Sequence, residues 1–151
     1  LKESNFNWIA IQDDDDVWFE NKLEYQSYQF KYYDVIGTQI VYIDELNKTP
    51  TKYGYGPRLA TQGDMIKTFT LGGDNQIANT SSICKKEVLL SVGGWDEEIE
   101  GIEDLDLWLK IIKKDYKFVN LEQILVSHRV YNESSFNSKT WDVKSLLQKY
   151  N

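Results

Sequence analysis

The feature of this sequence with the clearest chemical content is a run of four aspartates. In WIAIQDDDDVW, residues 8–18, an apolar stretch ends at residues 13–16 and resumes at Val17. Neighbouring carboxylates repel one another, and the repulsion grows where protein walls exclude water. Oxygen ligands suit a hard cation such as Mg²⁺ or Mn²⁺, so the run is a candidate metal site. The alternative is a solvated acidic turn that caps the next helix.

A second group of carboxylates lies in GGWDEEIEGIEDLDLW, residues 93–108. Glu103, Asp104 and Asp106 surround the predicted start of a helix. A carboxylate at that position is held ionised by unpaired backbone N–H groups and by the helix dipole. In the ionised form it can act as a general base towards a hydroxyl. The alternative is ordinary capping of a helix N-terminus.

Hydrophobic patterning predicts the elements that position these carboxylates. The near-continuous apolar run at 6–11 is typical of a strand covered on both faces. Helical spacing predicts a helix over 19–33, and β-branched residues predict a strand over 35–43. Strand, helix and strand in this order indicate a βαβ unit in an α/β sheet. The aspartates would then follow the carboxyl end of a strand, where open α/β sheets bind ligands.

The remainder of the chain contains predicted elements of both kinds. Residues 46–63 concentrate Thr, Gly, Pro and Lys and predict a long loop, which in a compact domain is usually functional. Apolar spacing predicts a helix over 103–114, whose basic end complements the helix dipole. The other predicted elements are strands at 77–84, 117–119 and 124–130, a helix at 86–91, and a C-terminal helix within 138–151. The length of 151 residues is consistent with one domain, residues 1–151.

Composition narrows the classes of function. A formal charge of −7 argues against a general nucleic-acid binder. No apolar stretch approaches the ~20 residues that span a bilayer. The single cysteine, Cys84, leaves no disulfide framework and is interpreted as a small buried hydrophobe. We expect a cytoplasmic protein, with peripheral attachment to the inner face of the membrane as a further option.

Three blocks, taken in order, resemble the catalytic portion of family 2 glycosyltransferases, which have the GT-A fold. The blocks are WIAIQDDDDVWFENKL, NQIANTSSICKKEVLLSVGGWDEEIEGIEDLDLWLKI and LVSHRVYNESS. Their order and spacing match the family over most of the chain. The resemblance implies a Rossmann-like fold with a mixed, mostly parallel sheet flanked by helices.

The resemblance also implies roles for the aspartate run. In the family, an acidic DXD motif after a central strand binds a divalent metal and the diphosphate of a nucleotide-sugar. Asp13, Asp14 and Asp15 match this motif. By the family's pattern Asp15 is the metal ligand, with Mg²⁺ or Mn²⁺ as cofactor, and Asp13 and Asp14 lie near the ribose and diphosphate. Asp16 is expected to cap the following helix.

The second block matches the family's catalytic segment. Glu103 and Asp104 match its ED pair, whose aspartate is usually assigned as the catalytic base. The preceding GGWDE resembles the family's GGFDE turn, whose backbone comes close to the sugar. Gly94 is therefore expected in the donor site. We expect Gly93 and Gly94 to be glycines because side chains would obstruct that approach.

The chain departs from the family's pattern in the third block. Many relatives have a histidine two residues after the arginine that matches Arg129, but Tyr131 occupies that position here. The only histidine, His128, precedes Arg129, and on a strand these two side chains would face opposite sides. A lone histidine is more often structural than a ligand. Arg129 is left with two options, a phosphate of the donor or one of the carboxylates.

A second departure concerns the N-terminal part. Family members normally begin with a βαβ-type segment that holds the base and ribose of the nucleotide. We expect that segment to precede Leu1, so that the fold is incomplete at the N-terminus of this chain.

The resemblance implies an inverting, metal-dependent glycosyltransferase that acts in polysaccharide biosynthesis. The donor is expected to be a nucleotide-sugar, most simply UDP-linked, and the acceptor a saccharide or glycan. Tyr53, Tyr55 and Arg58 could contact a sugar, with ordinary loop packing as the alternative. Two other functions stay open: a nucleotidyltransferase of related fold, and a metal- or carbohydrate-binding module without catalysis.

Overall fold

A five-stranded sheet lies at the centre of the computed structural model, which describes residues 1–44, 46, 48, 75–131 and 142–150. The strands are β1 (Trp8–Ala10), β2 (Val17–Trp18), β3 (Val35–Ile43), β4 (Ile83–Lys85) and β5 (Phe118–Arg129). Their order across the sheet is β1-β4-β3-β5-β2. The helices are α1 (Lys22–Ser27), α2 (Lys86–Ser91), α3 (Glu103–Lys113) and α4 (Val143–Tyr150), and a 3₁₀ turn covers Asn79–Ser81.

The sheet is mixed, as predicted, but it is not mostly parallel. Only β3 and β5 pair in parallel, whereas β4 is antiparallel to both β1 and β3, and β2 is antiparallel to β5. The expectation of mostly parallel pairs is therefore wrong for the described strands. The reason is that β4 lies between β1 and β3, so these two strands run in the same direction without being neighbours.

Apolar side chains cover both faces of the sheet. Val35 and Ile36 follow one another on β3, are both fully buried, and belong to two different clusters. Successive residues of a strand point to opposite faces, so each cluster occupies one face. The Val35 cluster also contains buried residues of α2, α3 and α4. Cys84 lies fully buried in it, which confirms the interpretation of this cysteine as a small hydrophobe.

The predicted helix at 103–114 is confirmed as α3. Its first turn carries three carboxylates and its last turn two lysines, which is the arrangement that the helix dipole favours. Leu105, Trp108 and Ile111 are buried, and the Trp108 indole N–H donates to the Ile77 carbonyl oxygen at 3.0 Å. The helix is thereby attached to the segment that precedes the 3₁₀ turn.

Four predicted elements differ in their bounds. The helix expected at 19–33 covers only Lys22–Ser27, and it begins after Phe19, whose N–H donates to the Leu125 carbonyl of β5. The strands expected at 117–119 and 124–130 form the single strand β5, with a register shift opposite Thr38 and Gln39. Within the predicted strand 77–84, the structure has the 3₁₀ turn followed by β4.

The predicted loop at 46–63 falls largely on residues outside the described ranges. Of the expected loop at 46–63, only residues 46 and 48 are described, and Tyr53, Tyr55 and Arg58 lie outside. The expected C-terminal helix is confirmed over Val143–Tyr150. Within the described part of the chain, no helix combines the length and apolar character needed to cross a membrane.

Candidate functional site

The four aspartates form the connection between β1 and β2. The Ile11 N–H donates to the Ser82 carbonyl at 3.1 Å, and the Asp16 N–H donates to the Asp13 carbonyl at 3.3 Å, which closes a turn. Asp14 is exposed to solvent, whereas Asp16 is only 5% exposed. The run is therefore a shaped loop in which neighbouring carboxylates meet different surroundings.

Asp16 attaches this loop to the end of β5. Its Oδ2 lies 2.8 Å from Nδ1 of His128, and its Oδ1 accepts a hydrogen bond from the Arg129 N–H at 2.7 Å. The prediction that Asp16 caps the next helix is wrong. The residue before α1 is Asn21, which makes no side-chain capping bond, and both Asp16 oxygens are instead used by β5.

The Arg129 side chain holds the aspartate loop in place by donating hydrogen bonds to backbone carbonyls. Its Nε donates to the Asp15 carbonyl at 3.1 Å, and its Nη1 donates to the Asp44 carbonyl at 2.8 Å. His128 and Arg129 both reach the loop because Arg129 is the last residue of β5 and the loop lies beyond that end. A role of Arg129 in binding a donor phosphate stays a prediction.

Tyr131 contacts the carboxylate that the family pattern assigns to the metal. The charge of Asp15 raises the pKa of the Tyr131 phenol, and burial and a hydrogen bond to the same carboxylate add to the rise. Tyr131 therefore interacts with the aspartate loop from the position where many relatives have a histidine. The assignment of Asp15 as metal ligand, and of Asp14 to the donor, stays a prediction.

The 3₁₀ turn fixes Asp13, a contact that sequence patterns did not predict. Asn79 Nδ2 donates to Asp13 Oδ1 at 3.4 Å, and the Asp13 N–H donates to Thr80 Oγ1 at 3.4 Å. The Trp18 indole N–H donates to the Thr80 carbonyl at 2.8 Å and holds the turn against β2. The signal for this role was the polar stretch NTSS inside an otherwise apolar segment.

Asp13, Asp16 and His128 form a group suited to a metal ion. One ligand atom from each lies within 4.8 Å of the others. Burial and then the charge of Asp16 raise the pKa of Asp13, which means that the site disfavours its own negative charge. Among the described residues, the buried Oδ1 of Asn79 lacks a hydrogen-bond partner. Two carboxylates and an imidazole are donors that fit a divalent cation such as Mn²⁺.

Asp104 lies at the start of α3 with both carboxylate oxygens hydrogen-bonded. Oδ1 accepts from the Leu105 N–H at 2.7 Å, and Oδ2 accepts from Asn75 Nδ2 at 2.7 Å. Burial raises the pKa of Asp104 to about 7, and the charges of Glu103 and Asp13 add to the rise. The helix N-terminus was expected to keep this group ionised, but burial outweighs that effect. A carboxyl with a pKa near 7 suits a general base at neutral pH.

The aspartate loop and the start of α3 are bonded to the same short segment, because Asn79 donates to Asp13 and Asn75 donates to Asp104. The charge of Asp13 also adds to the raised pKa of Asp104. Glu103 lies beside them, and its Oε2 is buried without a hydrogen-bond partner in the described part of the chain. The structure therefore brings together Asp13, Glu103 and Asp104, which the sequence placed at one site. A catalytic role for Glu103 stays a prediction.

Gly94 lies at the end of α2, where backbone conformation accounts for the glycine pair. Gly93 and Gly94 have φ values of +83° and +72°, which side-chain-bearing residues rarely adopt. A Cβ on Gly94 would meet Leu1 at an ordinary 3.6 Å, and nothing lies within 4 Å at Gly93. The described neighbours thus give a conformational reason for the pair rather than crowding. The donor role of Gly94 stays a prediction.

Two curated proteins resemble the chain in sequence. It is 27% identical over 143 residues to an uncharacterized glycosyltransferase of Methanocaldococcus jannaschii. This alignment covers 87% of this chain and 45% of that protein. It is 25% identical over 154 residues to the amylovoran biosynthesis glycosyltransferase AmsE of Erwinia amylovora. This alignment covers 99% of this chain and 55% of AmsE. The chain spans about half the length of these relatives. No protein-family model matches the sequence.

The fold resembles part of a solved structure. The crystal structure of S. aureus TarS matches with a TM-score of 0.59 at 15% identity, over 87% of this chain and 23% of that chain. At this identity the match shows a shared fold. Both sequence relatives are named glycosyltransferases.

Proposed function

We propose that the chain is the catalytic portion of an inverting, metal-dependent glycosyltransferase of family 2 with a GT-A fold. Its donor is a nucleotide-sugar, UDP-linked in the simplest case, and its acceptor is a hydroxyl of a saccharide or glycan. The observation that carries the proposal is that one short segment bonds both acidic centres, through Asn75 at Asp104 and Asn79 at Asp13 of the aspartate loop. The name of AmsE, which refers to amylovoran biosynthesis, favours a role in polysaccharide biosynthesis.

The first centre would hold the cation and the diphosphate. Asp13, Asp16 and His128 are the ligands that the geometry favours, and Asp15 is the ligand that the family pattern favours. A bound Mg²⁺ or Mn²⁺ would supply charge stabilisation for the departing diphosphate.

The second centre would move the proton. A carboxylate oxygen of Asp104 accepts the proton of the acceptor hydroxyl while the hydroxyl oxygen forms a bond to the anomeric carbon. The bond from that carbon to the diphosphate oxygen breaks, and the nucleoside diphosphate leaves with the electron pair. With the base and the leaving group on opposite sides of the sugar, the displacement is in line and inverts the anomeric configuration.

The experiment separates donor binding from transfer. Calorimetric titration with UDP and Mn²⁺ measures donor-site binding in the wild type and in Asp104→Asn, and a transfer assay follows product. We expect Asp104→Asn to bind UDP and Mn²⁺ like the wild type and to lose transfer about a hundredfold or more. Transfer at the wild-type rate by Asp104→Asn, or UDP binding that does not depend on Mn²⁺, would contradict the proposal.

A pair of variants distinguishes the two sets of metal ligands. If the geometric group holds the cation, His128→Ala weakens Mn²⁺ binding by about tenfold or more, while Asp15→Asn changes it little. The opposite order of effects would assign the metal to Asp15, as the family pattern implies.

A further inference from the structure

Residues 75–77 are attached to two elements that support the site. The Gln76 carbonyl accepts a hydrogen bond from Asn120 Nδ2 of β5 at 2.7 Å, and the Ile77 carbonyl accepts from the Trp108 indole of α3 at 3.0 Å. The Ile77 side chain is fully buried. Carbonyls bonded to a strand and a helix, together with a buried side chain, fix this short segment in place.

The same segment sets the orientation of the Asn75 amide. Asn75 Oδ1 accepts a hydrogen bond from the Ile77 N–H at 3.1 Å. A backbone N–H can only donate, so the atom facing it must be the amide oxygen. The NH₂ group of Asn75 therefore faces the other way, where its Nδ2 lies 2.7 Å from Asp104 Oδ2.

Asp104 is thus held from two sides by neutral donors. The Leu105 N–H binds Oδ1 and Asn75 binds Oδ2, which fixes the plane of the carboxylate. Each carboxylate oxygen has two lone-pair sites, so each retains one for a substrate proton. Among the described residues, the charged groups that act on Asp104 are Glu103 on its own helix and Asp13 on the aspartate loop, and both are negative.

We propose that Asn75 is a positioning residue that orients Asp104 towards the acceptor hydroxyl. This inference rests on the proposed function, because it concerns the base of that reaction. The packing behind Asn75 supports it: a Cβ on Gly37 of β3 would lie 2.1 Å from Asn120 Oδ1, so glycine is needed for Asn120 to hold Gln76. The segment that carries Asn75 is bonded to a strand and a helix, the Asn75 amide oxygen accepts from the Ile77 N–H, and its Nδ2 is directed at Asp104.

Two variants and two readouts test the proposal. Asn75→Ala removes the hydrogen bonds of the amide to the Ile77 N–H and to Asp104. Asn75→Asp keeps an oxygen for the Ile77 N–H but replaces the donor to Asp104 with a second carboxylate. The readouts are the pKa of the Asp104 carboxyl, measured by carbon NMR without substrate, and kcat and donor KM at pH 7. Asn5→Ala, at an exposed asparagine, is the matched control.

We expect the Asp104 pKa to rise by about one unit in Asn75→Ala, because a donor to the charged form is lost. The rise should be larger in Asn75→Asp, since two adjacent carboxylates disfavour double ionisation. At pH 7 kcat should fall about tenfold in both variants, and donor KM should stay within about twofold, because the effect is confined to the base. Asn5→Ala should change neither readout.

An Asp104 pKa that is unchanged in both variants would overturn the proposal, as would wild-type kcat in Asn75→Asp. If the wild type transfers no sugar, the proposed function fails, and the NMR readout still decides whether Asn75 holds Asp104. If Asn75→Ala does not fold, Asn75→Asp decides the question, because it retains the hydrogen bond within the segment.

Discussion

Asp16 and Asp104 are the same residue type, and their surroundings give them different chemistry. Asp16 is buried between a histidine ring and a backbone N–H, so both of its oxygens serve to attach the loop to β5. Asp104 is held by neutral donors beside two other carboxylates, and its pKa rises to about 7. The first residue is therefore suited to structure or metal binding, and the second to proton transfer.

We predict that the pH dependence of transfer reports Asp104. A general base must be deprotonated, so kcat/KM, which reports the free enzyme, should fall about tenfold per pH unit below a midpoint near 7. A pH series of initial rates measures this midpoint. Glu97→Gln, which neutralises an exposed carboxylate in the same acidic region, is the control and should leave the midpoint in place. A midpoint near 4, the ordinary aspartate value, would mean that burial does not raise the pKa of Asp104.

The raised pKa of Asp104 also affects the stability of the protein, and this effect can be measured without substrate. Because the folded pKa of Asp104 lies above its unfolded value, the folded state binds more protons between these two values. The contribution of Asp104 to stability therefore falls as pH rises towards 7. We expect Asp104→Asn to be more stable than the wild type in urea unfolding at pH 8, and the gain to shrink at pH 5.

At the scale of elements, a buried lysine joins α1 to the rest of the fold. Lys22 is 1% exposed, its Nζ donates to Gln26 Oε1 at 2.9 Å, and it lies 3.9 Å from the centroid of the Trp18 ring. Gln26 Nε2 in turn donates to the Ile36 carbonyl at 2.7 Å and to the Ser81 carbonyl at 2.9 Å. The lysine thereby fixes the Gln26 amide that connects α1 to β3 and to the 3₁₀ turn.

We predict that Lys22→Met changes the pH dependence of stability. Burial lowers the pKa of Lys22 to about 7. The unfolded chain then binds more protons than the folded one from pH 7 up to the ordinary lysine value, so the contribution of Lys22 to stability rises with pH over that range. Relative to Lys22→Met, the wild type should gain about 2 kcal/mol between pH 7 and pH 9.

Urea unfolding at several pH values measures this gain. Lys31→Met, at an exposed lysine, is the matched control and should show no comparable change between the same pH values. A pH-independent difference between the wild type and Lys22→Met would show that the ammonium of Lys22 is not buried in the folded protein.

Some of the helices and strands could be predicted from the sequence, and others could not. The helix α3 and the strand β3 were predictable because each has one sustained apolar period. The strand β5 was predicted in two pieces because Glu122, Gln123 and Ile124 are exposed where its register shifts. Strand β2 has two residues and no period of its own, so its pairing with β5 determines it.

In the candidate site, too, some residues could be predicted from the sequence and others could not. Asp13 and Asp104 were predictable because four aspartates and an acidic helix start are unusual in sequence. The contacts of Asp16, His128 and Asn75 depend on where β5 ends and where residues 75–77 lie. Sheet order and direction decide both positions, and the spacing of residues within a single strand does not encode them.

At the scale of the whole molecule, α4 closes the core over α3. Leu146 and Leu147 join the larger apolar cluster, and the fully buried Asp106 of α3 binds the polar end of α4. Its Oδ1 accepts from Tyr150 Oη at 2.5 Å and from Lys149 Nζ at 3.3 Å, and Lys110 Nζ lies 2.7 Å from Oδ2. Burial by itself would raise the pKa of Asp106, but these partners outweigh it and hold the pKa below its usual value.

This arrangement predicts how firmly the C-terminal helix is attached. Tyr150→Phe removes one hydrogen bond to a charged, buried acceptor and should cost about 1 to 2 kcal/mol of unfolding free energy. Asp106→Asn leaves Lys110 without its anionic partner and should cost about 3 kcal/mol. Tyr28→Phe is the matched control, because that exposed tyrosine also bonds a carboxylate, Glu24, and should cost little.

Hydrogen exchange locates the effect within the fold. In Tyr150→Phe the amides of Leu146 and Leu147 should exchange faster, while those of β3 keep their protection, because α4 packs on α3 and lies outside the sheet. The contribution of Asp106 is present above the ordinary aspartate pKa and is lost as pH falls through its lowered value, so the difference between Asp106→Asn and the wild type should shrink in acid. Equal losses of stability in Tyr150→Phe and Tyr28→Phe would show that the Asp106 carboxylate does not anchor α4. The apolar contacts of α4 would then be what holds this helix in place.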